Sequence, residues 1–406
     1  MRLGAEQQKQ FSDVLDELGR SLDITQTQYA NAVRSYEAVG NLLARESSPL
    51  AEFRPIIRPQ GSFMLGTMVR PEIEADELDI DLVCELTGKS PDWTQHDLKQ
   101  MVGNEIRSTA VYKEKTSEGR RCWTIDYSDT SNYHMDILPS IVSSDYRTVI
   151  EKSFSAAEFD AIEDLSIRIT DNKEPIYRTE TDISHWPTSN PFGYSKWFFR
   201  QATIEQKLIR EFQESVQPVP QFQVNKLPLQ RVVQILKRHR DLMFKGDPDK
   251  PRSIIITTLA ARAYGKEVNV IDALLNVVEV MPTHMERRYS RRDGKDIVWI
   301  CNPTNDSENF ADKWPDSPRQ QEHFFNWMRQ VRADIHNAID RSGSGMNAVM
   351  ESLEKALGKD AVRRAYTSYA ESHKALRESG ALKMAAGTGM LGRSGIKVKD
   401  HTFHGK

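Results

Sequence analysis

The stretch 78–86, LDIDLVCEL, limits what this chain can fold into more than any other. Its apolar and acidic residues alternate. Successive strand side chains point to opposite faces, so Leu78, Ile80, Leu82 and Cys84 line one face and Asp79 and Asp81 project together from the other. Two ionised carboxylates about 4 Å apart repel by about 4 kcal/mol at an effective dielectric near 20. A fold keeps such a pair where a cation offsets the repulsion. Hard oxygens at this spacing suit Mg²⁺, which takes one or two carboxylates and completes its shell with substrate phosphates. The bland alternative is a solvated strand face with two chance aspartates.

Upstream, PQGSFMLGT places Gly61-Ser62 after a short apolar strand carrying Ile56 and Ile57. Gly61 lets backbone approach a ligand, and Ser62 adds a hydroxyl at a turn whose N–H groups suit a phosphate oxygen. Alone, such a turn is common. Its meaning comes from Asp79, which lies 18 residues beyond Gly61, enough for a turn, a short helix and a return into a neighbouring strand. One phosphate-holding turn beside one metal-holding strand is the arrangement expected for transfer from a nucleoside triphosphate. The third acid is Asp136 in NYHMDILPS, one carboxylate within a mostly apolar strand, costly there unless paired or bound to metal. Two-metal sites stabilise the attacking and leaving oxygens together, which gives Asp136 the second ion and the attacking hydroxyl. Asp126 and Asp129, in the more polar TIDYSDTS, read as turn residues.

Around these motifs the chain divides into a strand-rich first half and a helical second half. Periodicity predicts helices near 5–20, 24–46 and 94–108, and strands near 54–60, 110–115, 121–127 and 132–138. Residues 171–192 read as a long polar connection leaving the mixed region. Helices follow near 190–213, 227–244, 253–264, 269–281, 317–340, 347–357 and 360–378. The expected units are 1–190 (N-terminal helices and catalytic core), 191–379 (a helical lobe) and a flexible tail, 380–406, too poor in apolar residues to pack.

Composition narrows the partners. Of 406 residues 38% are hydrophobic and 28% charged, with a net charge of −3, so a polymeric nucleic-acid partner lacks its usual basic surplus. No apolar run approaches the roughly 18 residues that span a bilayer, which predicts a cytoplasmic protein with no membrane partner. The three cysteines (Cys84, Cys122, Cys301) are scattered, read as apolar packing, and form neither a disulfide framework nor a zinc knuckle. His134, His239 and His284 show no ligand spacing. The arginines of 286–295 read as a solvated hairpin before a strand at 297–300, and the polar run 300–314 as a structural loop near the cleft.

The string GSxxxGT (Gly61, Ser62, Gly66, Thr67), the DxD pair and the lone Asp136 together resemble the polymerase-β-like nucleotidyltransferases. More narrowly, the segments 227–241, 251–264 and 300–314 resemble the helical lobe of the bacterial cGAS/DncV-like nucleotidyltransferases, the CD-NTases of anti-phage signalling. The resemblance covers about 50–330. It implies an α+β fold, a polymerase-β-like core with a mixed central sheet, and an α-helical lobe closing the active-site cleft. It also implies an enzyme that joins NTPs, ATP or GTP foremost, into a cyclic di- or trinucleotide with release of pyrophosphate. Two Mg²⁺ ions, or Mn²⁺ in their place, would sit on Asp79, Asp81 and Asp136. Gln60, Gly61, Ser62, Lys237 and Ser253 would bind nucleotide. Read without the resemblance, Lys237 is equally a solvated helix residue beside Arg238 and Arg240. Further implied partners are a downstream effector of the product and a regulatory or C-terminus-conjugating protein, although HTFHGK ends in Lys406 rather than Gly405. DNA is not expected as an activator, because no Cys/His module is present. The rival readings are a nucleotidyltransferase with another acceptor (linear oligonucleotide, tRNA or protein) and a nucleotide-binding scaffold without catalysis, which the intact acids disfavour.

Overall fold

The computed structural model describes residues 5–71, 78–127, 133–155, 162–203, 222–341, 346–379, 381, 383–384, 391–392 and 396–397. Asp129, residues 204–213 and the terminal HTFHGK fall outside them. The chain opens with α1 (Ala5–Ser21) and α2 (Gln26–Ala44), the latter started by a capping box in which Thr25 and Gln28 bond each other's backbone. Next come β1 (Ile56–Pro59), the single turn α3 (Gly61–Met64) and β2 (Leu78–Thr87). They are followed by α4 (Gln95–Arg107), α5 (Ala110–Lys113), β3 (Thr116–Glu118), β4 (Trp123–Asp126) and β5 (Tyr133–Val142). The strand expected at 110–115 is therefore α5. Val111 is 67% exposed there, so its β-branched side chain faces solvent rather than a sheet.

After α6 (Tyr146–Ser155), β6 (Ile167–Ile169) and β7 (Thr188–Ser189) return to the sheet, so the connection 171–192 does not simply leave the mixed region. Its buried Asp171 accepts hydrogen bonds from both Arg120 and Arg121 at 2.8 Å and pins the turn between β3 and β4. Then come α7 (Pro191–Ala202), α8 (Pro228–Phe244), α9 (Ser253–Ala263) and α10 (Val270–Val280). The hairpin β8 (Glu286–Ser290) and β9 (Lys295–Trp299) precedes β10 (Cys301–Asn302) and β11 (Asn305–Asn309). The chain continues as α11 (Pro318–Asp340), α12 (Met346–Leu357) and α13 (Lys359–Glu378). In the tail, β12 (Lys383–Met384) pairs with β13 (Leu391–Gly392) and β14 (Ile396–Lys397).

The central sheet runs β1-β2-β5-β4-β3, with β6 and β7 continuing from β5. Only the β2–β5 pair is parallel among the described strands; the others are antiparallel, so the sheet is mixed. One face carries Leu78, Ile80, Leu82, Met135 and Ile137 and packs under α2 and α4. On the other, Val83 and Leu138 join the core of the helical half with Phe192, Phe198 and Leu229. First in sequence, α1 lies with that helical layer: Ser21 Oγ donates to Ala361 O of α13 at 3.0 Å.

Candidate active site

Along β2 the row Asp79, Asp81, Val83 passes from exposed to half-buried to fully buried, and along β5 His134 and Asp136 are half-buried and Leu138 is buried. The acids thus stand where the sheet emerges from beneath the helical layer. Parallel register sets Asp79 beside His134 and Asp81 beside Asp136. All four share one face, since Leu78, Ile80, Met135 and Ile137 point into the opposite core.

Antiparallel pairing of β1 with β2 delivers the Gly61-Ser62 turn to the same place. Pro59 lies opposite Leu82, and Gln60 N donates to Asp81 O at 2.8 Å. Gly61 has φ +58°, and a Cβ there would stand 2.5 Å from Asp81 Oδ2. The glycine is demanded twice, by backbone hand and by the carboxylate it touches. Ser62 is half-buried, and its carbonyl accepts Thr67 N at 3.0 Å.

Electrostatics mark Asp81. Burial, then Asp136, then Asp79 push its carboxyl up to about 6, with Lys237 opposing. Asp136 accepts a hydrogen bond from Thr124, its register partner on β4. The Cys122 thiol is pushed up to about 11, by burial first and by Asp136 next, so this cysteine borders the acids rather than filling apolar core. Cys301 likewise donates to Asp306, at 2.7 Å. Among the described residues, no three His, Cys, Asp or Glu side chains form a ready-made cation cage. Adjacent carboxylates that repel, with that of Asp81 raised to about 6, still fit a hard cation that draws its remaining ligands from phosphates.

The structure connects the helical-lobe candidates to the site indirectly. Lys237 is buried, not solvated, and its Nζ donates to Thr67 O and Oγ1 at 3.2 Å. Burial first and Arg240 second lower its ammonium to about 7, against the pull of Asp81. Ser253 opens α9 as expected, and its Oγ accepts from Arg240 Nη1 at 2.7 Å. Sequence reasoning missed three neighbours: His134, whose Nε2 lies 3.4 Å from Asp79 Oδ1, and Thr124 and Cys122 beside Asp136. The spacing of His134 two residues before Asp136 was the available signal, because residues i and i+2 share a strand face.

The peripheral motifs behave structurally. Asn309 Oδ1 accepts Ile300 N at 2.8 Å and Ala311 N at 2.9 Å, which ties the 300–314 loop to itself. In the β8–β9 hairpin, Arg288 pairs with Glu286 and Asp306.

A mixed sheet with carboxylates on adjacent parallel strands beside a glycine turn is the arrangement a polymerase-β-like nucleotidyltransferase core would present. Residues 55–139 match the family described as "Cyclic GMP-AMP synthase DncV-like, nucleotidyltransferase domain". The chain is 25% identical over 401 residues to a c-di-GMP synthase of Roseivirga ehrenbergii, covering 98% of this chain and 97% of that one. It is 25% identical over 331 residues to the cyclic dinucleotide synthase CdnG of Bradyrhizobium diazoefficiens, covering 77% and 73%. The solved structure of that CdnG in complex with GTP superposes with a TM-score of 0.61 at 20% identity, over 88% of this chain and 99% of that one. The chain is thus similar, over nearly its whole length, to bacterial cyclic dinucleotide synthases, and its first half carries a match to the DncV-like nucleotidyltransferase domain. None of its described helices is long and apolar enough to cross a membrane.

Proposed function

We propose that the chain joins two nucleoside triphosphates, GTP among them, into a cyclic dinucleotide by two successive nucleotidyl transfers. The observation that carries this is the register of Asp81 beside Asp136 with the Gly61-Ser62 turn packed on Asp81. The relatives' activity as cyclic dinucleotide synthases, and the GTP in CdnG, favour this product and this base. The anti-phage signalling role, with a downstream effector reading the product, follows from the family resemblance.

In this reading Gly61, Ser62 and the backbone of Gln60 hold the donor's β- and γ-phosphates. Lys237 and Ser253 complete the cradle from the helical side. Asp79, Asp81 and Asp136 would hold Mg²⁺, which when bound neutralises phosphate charge and polarises the α-phosphate. Asp136 takes the proton of the attacking ribose hydroxyl as the new O–P bond forms and the bond from the α-phosphorus to pyrophosphate breaks. A second transfer in the opposite sense closes the ring and releases a second pyrophosphate. Thr124 fixes the Asp136 carboxylate for this task.

The test is mass spectrometry of the product from mixed NTPs and Mg²⁺ after phosphatase treatment. A phosphatase-resistant cyclic dinucleotide is expected. Linear or macromolecular products alone overturn the cyclisation, and no product at all overturns the reading of the site.

A further inference from the structure

Residues 65–70 carry the second half of the GSxxxGT string and form neither helix nor strand. Their carbonyls need hydrogen-bond donors from elsewhere. One face of α8 supplies four. Gln230 Nε2 donates to Leu65 O at 2.8 Å, Gln234 Nε2 to Met68 O at 2.7 Å, Lys237 Nζ to Thr67 O at 3.2 Å and Arg238 Nη2 to Arg70 O at 2.7 Å. Positions 230, 234, 237 and 238 fall on one helical stripe. All four side chains are at most 5% exposed.

Buried amides persist where their hydrogen bonding is met. Gln230 Oε1 accepts Leu227 N at 2.8 Å. Gln234 Oε1 accepts Arg231 Nη1 at 3.0 Å, and its Nε2 also donates to Asp23 Oδ1 at 2.8 Å. Both amides are therefore fixed before they reach the 65–70 backbone. Gly66 completes the fit. Its φ is +64°, and a Cβ there would stand 2.7 Å from both Gln230 Nε2 and Gln223 Oε1.

We propose that Gln230 and Gln234 are positioning residues for nucleotidyl transfer, and that Gly66 is glycine so that the Gln230 amide can reach the backbone behind the Gly61-Ser62 turn. The proposal rests on the reading of the site given above. Thr67 N is bonded to Ser62 O, and Gly61 is packed on Asp81. A shift of 65–68 therefore moves Ser62 relative to the acids. Misplacing a reacting group by about 1 Å costs on the order of 100-fold in rate. These glutamines act on the reaction through the turn and do not touch the substrate themselves.

The experiment compares Gln230→Met, Gln234→Met and Gly66→Ala with the wild-type full-length chain. It reads kcat and KM from pyrophosphate release, and amide hydrogen exchange in the nucleotide-free protein. The expected result is faster exchange confined to 62–70, with kcat lowered roughly 10- to 100-fold and KM within about threefold. Unchanged exchange at 62–70, or unchanged kcat in a folded variant, overturns the proposal, as does a rise in KM with kcat intact. Should a glutamine variant fail to fold, Gly66→Ala decides, because it keeps every amide donor. A wild-type chain inactive on NTPs overturns the underlying function, and the positioning role with it. Active wild type with active variants overturns only the latter.

Discussion

Gly61 and Asp81 stand so close that a Cβ on the glycine would lie 2.5 Å from the aspartate's Oδ2. The turn and the acidic strand therefore meet through the one residue small enough for both. Gly61→Ala sets a left-handed non-glycine residue, costing about 1–2 kcal/mol, against a carboxylate that must turn away. A modestly lowered Tm is expected, with turnover falling by about 100-fold or more. Thermal melting beside initial rates checks this; turnover close to wild type would place the chemistry elsewhere.

The Asp81 carboxyl gives a pH dependence with a definite sign. Folding raises it from 3.8 to about 6, so between those values the folded chain binds more protons than the unfolded one. Stability is then greatest below the unfolded value and declines as pH rises through about 6. Asp81→Asn removes the decline. Without metal, the variant should exceed wild type above pH 6 by up to about 3 kcal/mol and match it near the unfolded value, while losing turnover. Denaturant unfolding across pH measures it, and a variant less stable at neutral pH refutes it.

The face carrying Asp79 and Asp81 was legible because a two-residue period leaves no choice once the apolar positions are known. Asp136 was legible as an acid with no apolar excuse. The β2–β5 register, which puts His134 beside Asp79, was not, since strand partners distant in sequence leave no local mark. Lys237 shows the same limit. Its arginine neighbours suggest solvent, yet it is buried because the carbonyls of 65–70 face α8. Carbonyl acceptors belong to every residue type and cannot be read from side chains. The placement of α1 against α13 was equally hidden, since an amphipathic stripe tells that a helix is covered, not by what.

Thr124 offers a way to loosen Asp136 without removing it. Thr124→Val keeps the shape of β4 and deletes the donor to Asp136 Oδ1. A carboxylate free to rotate should lower kcat about tenfold, with KM for NTP within about threefold, because the loss falls on the attacking hydroxyl. Steady-state kinetics separates the two; a change in KM alone would assign Thr124 to nucleotide binding.

Metal removal should spare the fold. No cation cage exists among the described residues, so an ion held by strand carboxylates and phosphates contributes little without nucleotide. Chelation should abolish turnover and leave the nucleotide-free Tm unchanged. Mg²⁺ with a non-hydrolysable NTP at about 100 times its Kd should add about 2.7 kcal/mol, a rise of a few degrees. A Tm that collapses on chelation alone would mean a structural metal.

Lys237 donates to Thr67, behind the turn, with its ammonium lowered to about 7, chiefly by burial, so it is only partly charged near neutral pH. A triphosphate arriving against Thr67 and Ser62 favours the charged form and draws a proton onto the lysine. Binding linked to proton uptake weakens as pH rises above the free group's value. In wild type, KM for NTP should therefore climb by roughly tenfold per unit at most from about pH 7 upward. Lys237→Met cannot take up that proton, so its KM should start higher and stay flat over the same range. Equal pH slopes in the two proteins would remove Lys237 from the triphosphate site and leave it a structural donor to Thr67 alone.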